Sequence, residues 1–378
     1  MRFMGAPLRL GLSACAVAAF RSAVAVMAAW ASTVHAQARF DSRNPLAQVA
    51  KCAIGEEESR SAIARNVPSR FSPIPGENAE RFKASVRNGA VTPARWFSDT
   101  VFIIPREGRR GRFCSGVYVG GDAILTAGHC VCDLDLAEAQ GEVQFQLRDD
   151  RYAISTVPKR TVMLDPDTCN LGRQPGRDLA IVFFDPDHLA ENMKYNPALL
   201  GFGVRPAIPT DGQPMVPTDT LKQAQDSTVT TQPRLTPAII ASSEALVSGR
   251  HDRMMVVGYG ADERGVVEVK RHACVPVVSG ICGGPGDPEQ FNCVPGSELV
   301  LADPVGGADT CQGDSGGAVY TVVRDRGLYY YHLAAITSRG LAGDRCGPGG
   351  IYTLITPSIV AWMRRNGVPI GAYPYPGQ

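Results

Sequence analysis

The sequence lacks a charge imbalance: 38 basic side chains stand against 37 acidic ones across 378 residues, for a net charge of +1. A nucleic-acid binder usually carries a basic excess or stripe to meet phosphates, so the balance argues against that class. Beyond the first few dozen residues there is no apolar run near the ~20 residues that a helix needs to cross a bilayer. The paired C-x2-C spacing of a structural zinc site is missing too, although Cys130-Val131-Cys132 and the stretch from Cys274 to Cys293 hold Cys and His residues close together. No internal repeat is present. These absences predict an ordinary globular chain of one or two domains, with no metal, no cofactor, no nucleic-acid partner and no membrane association after processing.

The N-terminus is distinctive. Arg2, Arg9 and Arg21 precede the apolar run Ser22 to Ala31, and Val34-His35-Ala36 offers small residues for a cut before Gln37. This predicts a secretory signal peptide over 1–36 and a secreted or periplasmic protein. A membrane anchor from Leu10 to Val34 is the competing reading, but Arg21 interrupts it. Loss of the signal removes three Arg and no acid, turning +1 into −2. Of 11 cysteines, Cys15 would leave with it, and the ten that remain in an exported chain read as up to five disulfides.

Residues 37–95 are polar, with helically spaced apolar residues around Leu46, Val49, Ala50 and Ile54 and turn signals at Pro68, Pro73 and Pro75. They form either a propeptide or a structural extension, and Cys52 favours a tethered extension. From Val101 the texture becomes short β-type runs: Val101 to Ile104, Gly116 to Val119, Ala123 to Thr126, Val143 to Leu147 and Leu179 to Phe184. A second set covers Met254 to Gly258, Val266 to Val269, Ala273 to Val278, Leu299 to Leu301, Gly317 to Val323, Tyr329 to Ile336 and Gly350 to Ile355. Two antiparallel β units follow, joined by a Pro-, Thr- and Ser-rich linker and insertion over 185–250. An amphipathic helix is predicted over 357–366, before a tail at 367–378.

The chemistry centres on Asp309-Thr-Cys-Gln-Gly313-Asp314-Ser315-Gly316-Gly317. A serine hydroxyl is a poor nucleophile without a base beside it, and the oxygen that becomes negative during attack needs donors. The glycines let the backbone turn sharply and aim the amides of Gly313 and Ser315 at one point. Five histidines remain after the signal, and His129 stands out in Thr126-Ala-Gly-His-Cys130, at the end of a β run among small neighbours. Asp178 opens the apolar strand Leu179 to Val182, where a carboxylate can be shielded while it fixes the imidazole tautomer.

His129, Asp178 and Ser315, each in its own context and in that order, resemble the chymotrypsin/trypsin family of serine peptidases over roughly Val101 to Arg365. The resemblance implies an all-β fold of two antiparallel six-stranded barrels with a C-terminal helix. The peptidase domain would run 96–365, with a first barrel at about 96–184, a second at about 251–356 and the helix at about 357–366. It implies the bridges Cys114–Cys130 and Cys311–Cys346, and a weaker third, Cys132–Cys169; Cys52, Cys274, Cys282 and Cys293 stay unassigned. Met254 and Thr321 occupy the two positions of a further family bridge, so both of its partners are missing together. Asp309 matches the base of the primary specificity pocket, implying cleavage after Arg or Lys, with Gly340 and Gly350 on its walls. Ser338 matches the residue that supports the triad acid and pairs with substrate, and Arg339 follows where the family often has an aromatic. Protein or peptide substrates and proteinaceous inhibitors are the implied partners. The Ile-Val-Gly-Gly start that usually pairs with Asp314 is absent; Ala84 to Val91 lies at about its distance without the pattern. Asp314 is therefore expected either to bond another cation or amide or to depend on an unrecognised cut.

Two other readings compete. Gly313 to Gly317 also fits the G-x-S-x-G elbow of an α/β-hydrolase, a serine esterase, but there the acid and His follow the Ser, and only His332 does so here. A non-catalytic secreted binding module on the same fold is the other.

Overall fold

A computed structural model describes residues 45–54, 69–71, 86–92, 96–97, 99–105, 113–132, 141–146, 153–171, 175–189, 240–241, 251–260, 269–304, 307–325, 328–342 and 345–370. The expected signal peptide, Pro68, Pro73 and Pro75, most of the 185–250 insertion, residues 266–268 of one expected strand, and residues 371–378 of the tail lie outside them.

The first β unit contains β4 (Thr100–Pro105), β5 (Cys114–Gly120), β6 (Ala123–Thr126), β7 (Gly141–Gln146), β8 (Ala153–Thr156), β9 (Pro158–Met163) and β10 (Ala180–Phe184). Their order is β8-β7-β4-β5-β6-β10-β9, every pair antiparallel. Only Val157 separates β8 from β9, so one run of chain pairs first with β7 and then with β10, closing a barrel of six strand positions. Neither β8 nor β9 is marked in the sequence by an apolar run. β9 opens Pro-Lys-Arg-Thr with Lys159 and Arg160 exposed, so its place comes from the backbone ladder rather than from burial.

The second unit is a closed ring of β11 (Arg253–Gly258), β12 (Arg271–Ser279), β13 (Glu298–Leu301), β16 (Arg345–Leu354), β15 (Leu328–Ala342) and β14 (Ala318–Asp325), with β14 returning to β11. Three short strands from the N-terminal region extend this sheet. β1 (Ala53–Ile54) lies parallel to β14, β2 (Ser69–Phe71) antiparallel to β15, and β3 (Ala90–Val91) antiparallel to β12. The N-terminal region thus contributes edges to the second barrel.

Each barrel has its own apolar interior: Val101, Ile103, Val143, Val182 and Phe184 in the first, Val256, Ala273, Leu299, Ala335 and Tyr352 in the second. A third cluster joins them, bringing Val117, Leu125 and Ile181 against Met255, Val257 and Leu333. Helix α1 (Pro45–Cys52) reaches it through Val49 and Cys52. Two short helices follow in chain order, α2 (Thr168–Leu171) and α3 (Asp287–Phe291). The last helix, α4 (Pro357–Arg365), adds Ile359, Val360, Trp362 and Met363 to the joining cluster. α4 starts where it does because Thr356 accepts a bond from the Ile359 amide and Pro357 needs no donor in the first turn; Arg364 and Arg365 meet the negative end of its dipole.

Five disulfides link Cys52–Cys274, Cys114–Cys130, Cys132–Cys169, Cys282–Cys293 and Cys311–Cys346. The first fastens α1 to β12. The last ties the loop before β14 to the start of β16. Among the described residues, no helix is long and apolar enough to cross a membrane.

Candidate active site

His129 sits in a 3-10 turn (Gly128–Val131) directly after β6, and Asp178 lies just ahead of the paired strand β10. Antiparallel pairing of Ala180 with Thr126 brings the two chain ends together. The Asp178 carboxylate is 0% exposed; Oδ1 accepts the His129 backbone amide at 2.9 Å, and Oδ2 accepts His129 Nδ1–H at 2.8 Å. Ser338 Oγ, arriving on β15 from the second barrel, donates to the same Oδ2 at 2.7 Å. Burial alone would push the Asp178 carboxyl up, but these bonds favour the charged form more strongly and hold it below the usual carboxylate range. In the neutral imidazole, an ionised acid facing Nδ1 selects the tautomer with the proton on Nδ1 and the lone pair on Nε2; the side chain is 17% exposed.

Ser315 lies in the loop before β14, and Ser115 of β5 holds that loop against the first barrel. The Ser115 amide donates to the Ser315 carbonyl at 2.8 Å, while its hydroxyl donates to the Gly313 carbonyl at 3.0 Å and accepts from the Tyr259 amide at 2.9 Å. Gly316 is required here: its φ is +81°, and a Cβ would lie 2.2 Å from the Ser115 carbonyl oxygen. The Cys130 sulfur is 3.9 Å from His129 Nε2 and 3.6 Å from the Ser315 carbonyl, so one disulfide borders both residues. Among the described residues, no hydrogen bond joins His129 Nε2 to the Ser315 hydroxyl, and neither the Gly313 nor the Ser315 amide is used by another acceptor. Unused amide donors in a serine loop are the kind of group that can receive a developing oxyanion.

Asp309 is 1% exposed at the opposite end of the loop. Oδ2 accepts the Gly347 amide at 2.6 Å and the Gly349 amide at 3.0 Å, while Oδ1 has no hydrogen bond. Burial pushes its carboxyl up, against the pull of those amides and of Arg87. Arg87, which sequence reasoning passed over, pairs its backbone with Asp309 and donates from Nη1 to the Cys346 carbonyl at 2.5 Å. Gly340 and Gly350 are direct partners across β15 and β16, and a Cβ on Gly350 would meet the Tyr352 hydroxyl at 2.7 Å and Thr310 Oγ1 at 3.1 Å. A side chain at position 350 would thus collide with Tyr352 beside the residue that follows Asp309.

Asp314 is fully buried and bonds amides: Gly260 N–H to Oδ1 and Cys311 N–H to Oδ2, each at 2.7 Å. Burial pushes it up to about 7. Arg339 turns its fork onto Glu298. The signal for Glu298 was present in the sequence as an acid opening the apolar strand Glu-Leu-Val-Leu. His332 lies in β15 opposite Thr321, inside the second barrel, where burial pushes it down to about 4. Cys114, His129 and Cys130 are close enough to hold a cation together, but the two sulfurs are joined to each other.

A family model described as Trypsin matches residues 89–200 and 218–363, more than half of the chain. The chain is also similar to trypsin-1 of Astacus astacus, 35% identical over 119 residues, which make up 30% of this chain and 46% of the relative. The chain thus spans about half the length of that relative.

Proposed function

The chain belongs to the trypsin family, and from that membership we propose that it is an exported serine endopeptidase cleaving after Arg or Lys through His129, Asp178 and Ser315. The observation that carries the reading is the buried Asp178 carboxylate, bonded at once to His129 Nδ1 and to Ser338 Oγ. His129 Nε2 takes the Ser315 proton as Oγ attacks the substrate carbonyl. The Gly313 and Ser315 amides bind the oxyanion. The imidazolium, stabilised by Asp178, protonates the leaving amine, and the acyl-enzyme is then hydrolysed by a water that His129 deprotonates. No cofactor enters these steps. Asp309, with Oδ1 unbonded and Gly340 and Gly350 nearby, supplies the negative charge for a basic side chain, while Ser338 offers its backbone to the peptide. Substrates are proteins or peptides, and proteinaceous inhibitors are the further partners that this reading implies.

Residues 45–54 and 86–92 are part of the folded body in this reading, not a discarded propeptide, since α1 is bridged to β12 and β3 pairs with it. Export is supported by the expected signal and by the five disulfides.

The test is hydrolysis of matched fluorogenic peptides ending in Arg, Lys, Phe, Glu or Ala, by the protein and by its Ser315→Ala variant. Turnover restricted to Arg and Lys and abolished in the variant is expected. Turnover centred on another residue would remove the Asp309 assignment. Silence on every peptide, together with no labelling of Ser315 by a sulfonyl fluoride, would overturn the peptidase reading in favour of a binding module.

A further inference from the structure

Glu298 opens β13 at 0% exposure, a position where an unpaired carboxylate would be strongly destabilising. It is fully bonded. Oε1 accepts the Gly176 amide at 2.7 Å and Arg339 Nη1 at 2.5 Å; Oε2 accepts the Val294 amide and Arg339 Nη2, both at 2.9 Å. Arg339 Nη2 also reaches the Asn292 carbonyl at 2.8 Å. A bidentate guanidinium–carboxylate pair fixes orientation as well as distance.

The two chain segments that Glu298 holds are the ones that flank Asp178. Gly176 precedes Asp178 by two residues and comes from the first barrel; its turn has φ +72°, and a Cβ there would lie 3.0 Å from the Ser297 Cβ, so it is pressed onto the start of β13. Arg339 directly follows Ser338, the second-barrel residue that bonds Asp178 Oδ2. The path from Glu298 to Gly176, along the chain to Asp178, across to Ser338, on to Arg339 and back to Glu298 is a closed ring of covalent and hydrogen bonds. It crosses from one barrel to the other and back.

We infer that Glu298 is a positioning residue for the proposed catalytic acid: with Arg339 it holds the Gly176–Asp178 turn and the Ser338–Arg339 segment at one spacing, so that Asp178 meets His129 and Ser338 together. This rests on the triad reading. Glu298 touches no reacting atom. Its removal lets the ring open, and misplacement of a catalytic group by about 1 Å costs about a hundredfold in rate.

The experiment compares full-length wild type, Glu298→Gln and Arg339→Lys for kcat and KM on the best peptide, for the rate of inactivation by phenylmethanesulfonyl fluoride, and for the thermal midpoint. Sulfonylation requires an activated Ser315 but no occupied outer subsites. In both variants kcat and the inactivation rate are expected to fall together, by about tenfold or more, with KM within about threefold of wild type. Rates within twofold of wild type in a folded variant, whatever its midpoint, would reduce Glu298 to a structural ion pair and overturn the inference. A change confined to KM would make the pair a substrate subsite and overturn it equally. Arg339→Lys retains both charges and loses only the fork, so it decides the matter if Glu298→Gln does not fold. Wild type that fails to react at Ser315 would overturn the triad reading itself, before any variant is compared.

Discussion

Asp178 stays ionised at zero exposure because three donors meet its carboxylate, two from His129 and one from Ser338. Replacing it by Asn keeps the volume but removes the charge and lets the amide favour the wrong imidazole tautomer. Asp178→Asn is expected to lower kcat by about 10⁴-fold with little change in KM, read by steady-state kinetics on an Arg peptide. Ser338→Ala takes away one of the three bonds, and a smaller loss is expected, about tenfold in kcat. Asp309 stands at a different kind of site. Its Oδ1 is buried without a hydrogen bond, and in the proposed reading it is the group that a basic substrate side chain would meet. Asp309→Ser should reduce kcat/KM for Arg and Lys peptides by about 10³-fold or more while leaving the sulfonyl fluoride rate within about twofold; an equal loss on both would mean that the loop had collapsed.

Among the elements, α4 packs on the cluster joining the two barrels, with no side chain among those proposed for catalysis. Met363 in α4 is wholly buried, and Met363→Ala is expected to destabilise the fold by about 2–5 kcal/mol in chemical denaturation, with kcat of the folded protein unchanged. α1 differs in kind. Its eight residues are too few to hold a helix alone, and it persists through Val49 in the core, the Gln48 side chain accepting the Cys274 amide at 2.9 Å, and the Cys52–Cys274 bridge. That bridge closes a loop across a sequence separation of 222 residues. Replacing both cysteines by Ala should cost about 3–5 kcal/mol, seen as a lower denaturation midpoint, because the unfolded chain regains the entropy of that loop.

Taken whole, the molecule buries titratable groups that pull its pH dependence in opposite directions. His332 is pushed from 6.5 down to about 4 by burial, with His251 adding repulsion. A His held neutral in the fold gives full stability above 6.5, and that contribution is lost as pH falls towards 4, because the unfolded chain takes up a proton that the fold refuses. Asp314 and Asp99 are pushed up to about 7 and about 6 by burial, so for them stability rises as pH falls through those values. The opposed groups offset one another in the wild type, and a variant exposes one of them. Between pH 7.5 and 4.5, His332→Gln should gain about 2–3 kcal/mol relative to wild type in urea denaturation, and no relative gain would show that His332 is not held neutral.

Much of the candidate site was legible from the chain because the nucleophile, base and acid of the proposed mechanism each call for a characteristic local context. His129 needs small neighbours after a strand, Asp178 an apolar strand behind it, and Ser315 glycines that release the backbone. Short apolar runs likewise marked the strands that are buried along their length, and left β8 and β9 unmarked because their place depends on partners rather than on burial. The residues that hold the site together were not legible in the same way. Ser115, Arg87 and Glu298 act on groups far along the chain: Glu298 lies 122 positions from Gly176 and 41 from Arg339. No local pattern records which donors will surround a carboxylate once two barrels close on each other. Sequence alone therefore determined the family and the class of fold; the packing of one barrel on the other decided that Asp314 meets amides, that Arg339 turns to Glu298, and that the N-terminal region becomes part of the second sheet, because those contacts exist only after distant segments have been brought together.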